Sequence, residues 1–178
     1  MEWETEKQPG PEGWEGEEKR EKAGAYYGII GRGAALCARC LEDLLGGQGR
    51  VLVEKAVLPR AGDLQALVLL SLGNTLWEEQ LLARLGPQTA VVMNLDEVAE
   101  LPEGLSAGGR LVTCGLDPRA TLTVSSLREE AGRLAVQCCL QRSLPGRAGV
   151  WEPQEFGVSV PAAEEVGAVL AAVAAALC

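Results

Sequence analysis

Four short apolar runs constrain this chain more than anything else in it: residues 25–30, 67–72, 89–95 (TAVVMNL) and 110–114 (RLVTC). A strand that is apolar at successive positions has both of its faces covered, the condition of a strand inside a parallel sheet. Between these runs lie stretches with a helical period. Cys37, Cys40, Leu41, Leu44 and Leu45 recur at spacings of three and four and so share one helix face. Gly46-Gly47 closes that helix. Trp77, Leu81 and Leu85 form a second stripe, stopped by Gly86-Pro87. Residues 51–57 read as a further strand and residues 59–63 as a loop. Strands alternating with helices predict an α/β fold with a mainly parallel, Rossmann-like or P-loop-like sheet and helices on both faces.

The period changes after Cys114. Residues 121–127, 133–140 and 155–160 alternate with period two, so Leu134, Val136, Cys138 and Leu140 share one face, as do Phe156, Val158 and Val160. Glu130-Ala131-Gly132 and Pro145-Gly146 break the alternation. This predicts a small antiparallel extension of the sheet. A final helix is expected over residues 162–177. Residues 166–178 are almost wholly apolar but fall short of the ~20 residues of a membrane span, so the helix packs in a core or against a partner. Residues 1–24 read as a disordered acidic tail, because Met1 to Lys22 holds eight Glu and four Lys or Arg and little to bury. Trp3 and Trp14 within it are either incidental or a short partner-binding motif. Residues 25–178 form one domain.

Charge and composition exclude several functions. A net charge of -9 opposes binding to nucleic acid or to an anionic membrane, and 4% aromatics leave little for base stacking. The chain has no histidine, which removes the commonest general base and metal ligand. Its six cysteines follow no apolar leader and are expected as reduced thiols in the cytoplasm. Cys37-x-x-Cys40 has the spacing of a redox or metal pair, but both residues lie on the apolar helix face and no second pair exists, so core packing is the stronger reading. Cys138 and Cys139 are adjacent on a strand and point to opposite faces; Cys114 ends a buried strand. Glu78-Glu79 and Glu129-Glu130 read as solvated, and no catalytic constellation emerges from the polar residues flanking 143–151.

Two places carry candidate binding chemistry. Gly28, Gly31 and Gly33 surround a turn between the first strand and its helix, where backbone amides can cradle an anion. Arg32 is the charge beside it. The turn lacks the Gly-Lys-Ser/Thr of a Walker A loop, so a tight turn alone stands against a nucleotide or other anion site. Asn94, Asp96 and Glu97 follow the TAVVMNL strand. Ligands of open α/β sheets bind at the carboxyl ends of strands, so these are either a polar binding edge or a helix cap and solvated loop.

The order of these segments resembles the central, ATP-binding domain of the Mur ligase family, which includes folylpolyglutamate synthase. Tyr27-Gly28-Ile29-Ile30-Gly31 matches the entry to the phosphate loop, and Leu67-Val68-Leu69-Leu70-Ser71 stands where the family's acidic strand lies. Ala90-Val91-Val92-Met93-Asn94 matches the Asn-bearing strand, and Leu111-Val112-Thr113-Cys114-Gly115-Leu116 the strand before the antiparallel part. Residues 162–176 match the Ala-rich helix. The departures fall on the chemistry. The loop has no Lys and no Ser or Thr, and Leu69 or Leu70 stands where a Mg²⁺-binding Glu belongs. Asp96-Glu97 replaces an Asp-His pair, and the family's flanking N-terminal and C-terminal domains are expected to be missing. Phosphoryl transfer depends on electrostatic stabilisation by such groups. The resemblance therefore implies a non-catalytic, bacterial, Mur-ligase-like module for binding or regulation, with no catalytic residue, metal or cofactor and only Asn94 carried over as a ligand contact. The alternatives are a small-molecule or nucleotide-binding enzyme using the glycine turn with Asn94 and Asp96, and an assembly subunit docking through its apolar C-terminal helix. A protein partner or homo-oligomer is expected; nucleic acid and a membrane span are not.

Overall fold

The computed structural model describes residues 25–53, 64–71, 85–98 and 110–178. The acidic tail, the second half of the strand expected over 51–57, most of the helix expected around Trp77 and the segment following Val98 lie outside the described residues.

Eight strands form one sheet in the order β10-β7-β6-β5-β4-β3-β1-β2, where β1 is Tyr26–Ile30, β2 Arg50–Val53, β3 Leu64–Leu69, β4 Ala90–Asn94, β5 Arg110–Cys114, β6 Leu122–Glu130, β7 Arg133–Leu140 and β10 Gln154–Pro161. The strands from β2 to β6 run parallel. β6, β7 and β10 form an antiparallel meander. The α/β class, the mainly parallel sheet and the antiparallel extension are as the sequence predicts.

The apolar runs supply two cores, one on each face. All five residues of β4 are buried. Ala90 and Val92 join Tyr27, Ile29, Ala66 and Val68 beneath α1 (Ala34–Leu45) and α2 (Val166–Leu177), while Val91 and Met93 join Ile30, Leu67, Leu69, Leu85 and Val98 on the opposite face. Both described helices thus cover one face; of the helix expected on the other, only Leu85 is described, and it is buried there. Cys37 and Cys40 are fully buried in the larger core with Cys114 and Cys138, the packing role expected of them. Burial pushes the Cys37 and Cys114 thiols far above their usual pKa.

Boundaries depart from expectation where tertiary contacts intervene. β3 begins at Leu64 instead of Leu67 because polar Gln65 fits the strand: its Nε2 donates to the Cys178 carbonyl at 2.7 Å. α2 begins at Val166 instead of Ala162. The Ala162 amide donates to the Gly132 carbonyl and its own carbonyl accepts from Arg39 at 3.0 Å, which holds Ala162 outside the helix. β6 continues to Glu130, and its turn to β7 places Ala131 and Gly132 both at positive φ, 49° and 74°, as a two-residue hairpin of the tightest kind requires. Between β7 and β10, Leu144–Gly146 (β8) and Gly149–Trp151 (β9) pair as a separate hairpin, where the sequence reads as a loop. The docking alternative for the apolar C-terminal helix loses its surface: Ala168 to Ala175 are all buried within the chain itself. Among the described residues no helix is long and apolar enough to cross a membrane.

Candidate functional site

Strand order places the site. From β1 the chain passes to β2 on one side and later to β3 on the other, so the order β2-β1-β3-β4-β5 reverses between β1 and β3. Loops leaving the carboxyl ends of two such strands diverge and leave a crevice. A cleft of about 410 Å³ opens there, lined by Arg32 after β1, Leu70 and Ser71 after β3, Asn94, Asp96 and Glu97 at the end of β4, Leu116 after β5 and the start of α2 from Glu165 to Ala168.

Four of the sequence-predicted residues, Arg32, Asn94, Asp96 and Glu97, meet in this cleft. Gly31 and Gly33 flank Arg32 at φ 107° and 82° but do not themselves line the cleft. Gly28 does not belong to it: it lies inside β1, paired with Leu52 and Leu67. The link from β1 to α1 is only Gly31-Arg32-Gly33. It is pinned to the end of β3, where the Arg32 amide donates to Ser71 Oγ at 3.0 Å and the Gly31 Cα faces the Ser71 backbone so closely that a Cβ would stand 2.5 Å from its nitrogen.

Each polar residue has a defined neighbour. Arg32 donates to Glu97 Oε2 at 2.8 Å, an exposed pair that contributes about 0–1 kcal/mol. Asp96 accepts the Leu116 amide on both carboxylate oxygens, at 3.0 and 2.9 Å, clamping the β4 loop to the β5 loop. The close fit needs Gly115, whose Cβ would come within 2.8 Å of Asp96 Oδ2. Asn94 is buried, and its Oδ1 accepts the Asp96 amide at 3.2 Å.

Sequence reasoning passes over Glu165 and Gly167. Glu165 is the cap residue of α2, yet its side chain makes no capping bond. Its carboxylate lies instead against Gly33, the cap residue of α1, where a Cβ would collide with Oε2. A negative charge is thereby held at the positive end of α1. The available signal was an acidic residue directly before an apolar helix. With Asp96, Glu97 and Glu165 against Arg32, the cleft's charged side chains are acidic on balance. No group of three or more potential ligands for a metal ion occurs among the described residues.

No protein-family model and no curated protein matches the chain. Solved structures do. A UDP-N-acetylmuramoylalanyl-D-glutamyl-2,6-diaminopimelate–D-alanyl-D-alanyl ligase from Acinetobacter baumannii superposes with a TM-score of 0.57 at 14% identity, over 88% of this chain and 43% of the ligase. The MurF ligase from Thermotoga maritima in complex with ADP gives 0.54 at 14% identity, over 87% and 44%, and a further MurF structure from A. baumannii 0.56 at 12%, over 88% and 43%. The chain spans less than half the length of each, and it shares the fold of the part it covers.

Proposed function

We propose that residues 25–178 form a Mur-ligase-like domain that does not catalyse ATP-dependent ligation and acts as a binding or regulatory module. The observation that carries this reading is the Glu165 carboxylate seated at the N-terminus of α1. A helix N-terminus after a strand is where such a sheet would receive a phosphate. Here the chain's own carboxylate lies beside that end without a capping hydrogen bond, and its charge repels a second anion. MgATP does not fit the residues present. The turn has three residues and no Lys or hydroxyl to reach phosphate or metal, and its one cation, Arg32, already contacts Glu97.

The reading is tested with MgATP on the purified chain. No hydrolysis, no amide formation and no saturable nucleotide heat are expected in calorimetry. Turnover of ATP, or nucleotide binding weakened by Arg32→Ala, would instead support an enzyme using the glycine turn.

A further inference from the structure

Among the described residues the large sheet ends in β2 on one side and β10 on the other. An edge strand carries a row of unpaired N–H and C=O groups, a template for a further strand. The phase of the ladder between β10 and β7 tells which residues carry them. The Ala162 amide donates to the Gly132 carbonyl, continuing the register that sets Pro161 against Arg133. The even-numbered residues of β10 therefore bond inward to β7. Glu155, Gly157 and Ser159 turn their backbone groups outward, and the Ser159 carbonyl indeed accepts from a side chain, Arg133 Nη2 at 2.7 Å. All three residues are exposed, and no described strand covers them. Sheet edges are ordinarily blunted by lysine, proline, a bulge or short length. β10 has eight residues, no lysine, and its proline only at the last position. Its register with β7 runs without a shift.

The side chains along this edge are sorted by face. Phe156 and Val158 are half-buried against the larger core and carry apolar surface out to the rim. Glu155, Gly157 and Ser159 share the opposite face. A cation is fixed at one end of that face. Arg133 donates to Ser159 Oγ at 2.9 Å, to the Ser159 carbonyl at 2.7 Å and to Asp43 Oδ2 at 2.6 Å. The one charged residue of β10, Glu155, stands at the other end, with Gly157 between. An identical strand turned about a two-fold axis near Gly157 meets this edge antiparallel and keeps its faces in place. Glu155 of each copy then arrives at the Arg133 end of the other. The two Gly157 residues approach with no side chain between them, and Phe156 and Val158 lie beside their counterparts. The edge supplies both halves of its own charge pair, which is the condition of an isologous contact.

We propose that the outer edge of β10 is a self-association surface, on which a second copy of this chain adds its own β10 antiparallel and joins the two sheets into one. One pair of strands lies at the small end of interfaces, and a net charge of -9 sets the copies against each other. The dimer is therefore weak and concentration-dependent. The proposal goes beyond the binding-module reading and does not depend on it.

The test is sedimentation velocity of the full chain over a wide range of concentration, with amide NMR on the same samples. A monomer–dimer equilibrium is expected, and the amide shifts of Glu155, Gly157 and Ser159 should move with concentration while that of Leu52 in the opposite edge strand stays fixed. Gly157→Pro removes the central outward amide, leaves the β7 ladder intact and should raise the dissociation constant about tenfold or more. Glu155→Lys changes only an exposed side chain, which keeps the test decisive if the proline variant misfolds. It sets like charges together and should weaken the dimer about fivefold or more. A chain that is monomeric at every concentration, or a dimer that neither variant weakens, would overturn the proposal. So would a monomeric chain whose Gly157 amide shifts only on addition of a synthetic peptide of residues 154–161, since the edge would then receive separate extended segments rather than a second copy. MgATP hydrolysis by the same preparation would refute the binding-module reading and leave the β10 contact standing.

Discussion

Replacing Gly31 by alanine probes the turn that brings the cleft residues together. Gly31 sits at φ 107°, beyond the left-handed helical region near +57°, where an L residue carries about 1–3 kcal/mol of strain. The new Cβ would stand 2.5 Å from the Ser71 nitrogen, 2.7 Å from its Oγ and 2.9 Å from its carbonyl oxygen. The hydroxyl can rotate away. The backbone atoms cannot move freely, because the preceding Leu70 amide is bound to the Ile30 carbonyl at 2.9 Å. Overpacking of this kind adds about 1–3 kcal/mol, so Gly31→Ala should cost about 4 kcal/mol in all. Gly46→Ala is the control. Its φ of 57° is also left-handed, but nothing lies within 4 Å of its Cβ position, and the cost should be about 1 kcal/mol. Urea unfolding followed by circular dichroism would compare them. With a slope of about 2 kcal/mol/M, the midpoint should fall by about 2 M for Gly31→Ala and about 0.5 M for Gly46→Ala. Coincident midpoints would refute the close approach of the β1–α1 turn to Ser71.

Other outcomes follow from single features. Ala131→Asn at the β6–β7 turn, where alanine is held at φ 49°, should raise stability by about 0.5–1 kcal/mol; an unchanged unfolding midpoint would count against a turn with two positive φ values. Cys139 is half-buried while the other five cysteines are buried, and burial pushes Cys138 up to about 12 and Cys178 to about 11. One thiol should therefore react readily with an aromatic disulfide reagent in the native chain at neutral pH and six in denaturant; several fast native thiols would contradict the packing. The Asp117 carboxyl is lowered to about 2 by the side-chain hydrogen bond from Arg119, with the Arg119 amide adding to it. Because the folded value lies below the ordinary one, the stabilisation is present above the usual carboxylate range and is lost as pH falls through about 2. Carbon NMR should find this low titration and see it rise in Arg119→Ala, whereas an ordinary titration in the parent chain would refute the contact.

The parallel half of the sheet was legible because its signals are local. β4 is buried on both faces by five successive residues, and glycine punctuation brackets α1 at Gly33 and Gly46. Other features depend on distant partners. The β8–β9 hairpin has strands of three residues, too short for any period. It is held by Trp151 Nε1 on the Leu177 carbonyl at 3.2 Å and by Arg110 on the Pro145 carbonyl at 2.6 Å. The start of α2 was hidden because Ala162 and Ala163 are good helix formers, and the Gly132 and Arg39 contacts that hold Ala162 outside the helix come from distant elements. At the site, the rule for open sheets brought Arg32 to the same crevice as Asn94 and Asp96. It could not bring Glu165, whose place depends on where α2 comes to rest.

That placement changes what the glycine turn means. A loop that receives a phosphate leaves its helix N-terminus open to solvent until the ligand arrives. Here α2 packs against α1, and Ala168 Cβ comes within 3.7 Å of the Cβ position of Gly33. Glu165, one residue before α2, is thereby delivered to the mouth of α1 as a consequence of core packing. Such a carboxylate loses no translational freedom when it binds, so an external anion competes with it at a disadvantage. The same residue leaves its own helix without a side-chain cap. Neither helix has a side-chain hydrogen bond at its N-terminus, so what Glu165 brings to α1 is charge. The glycines of the turn serve the approach of β1, β3 and α2 to one another.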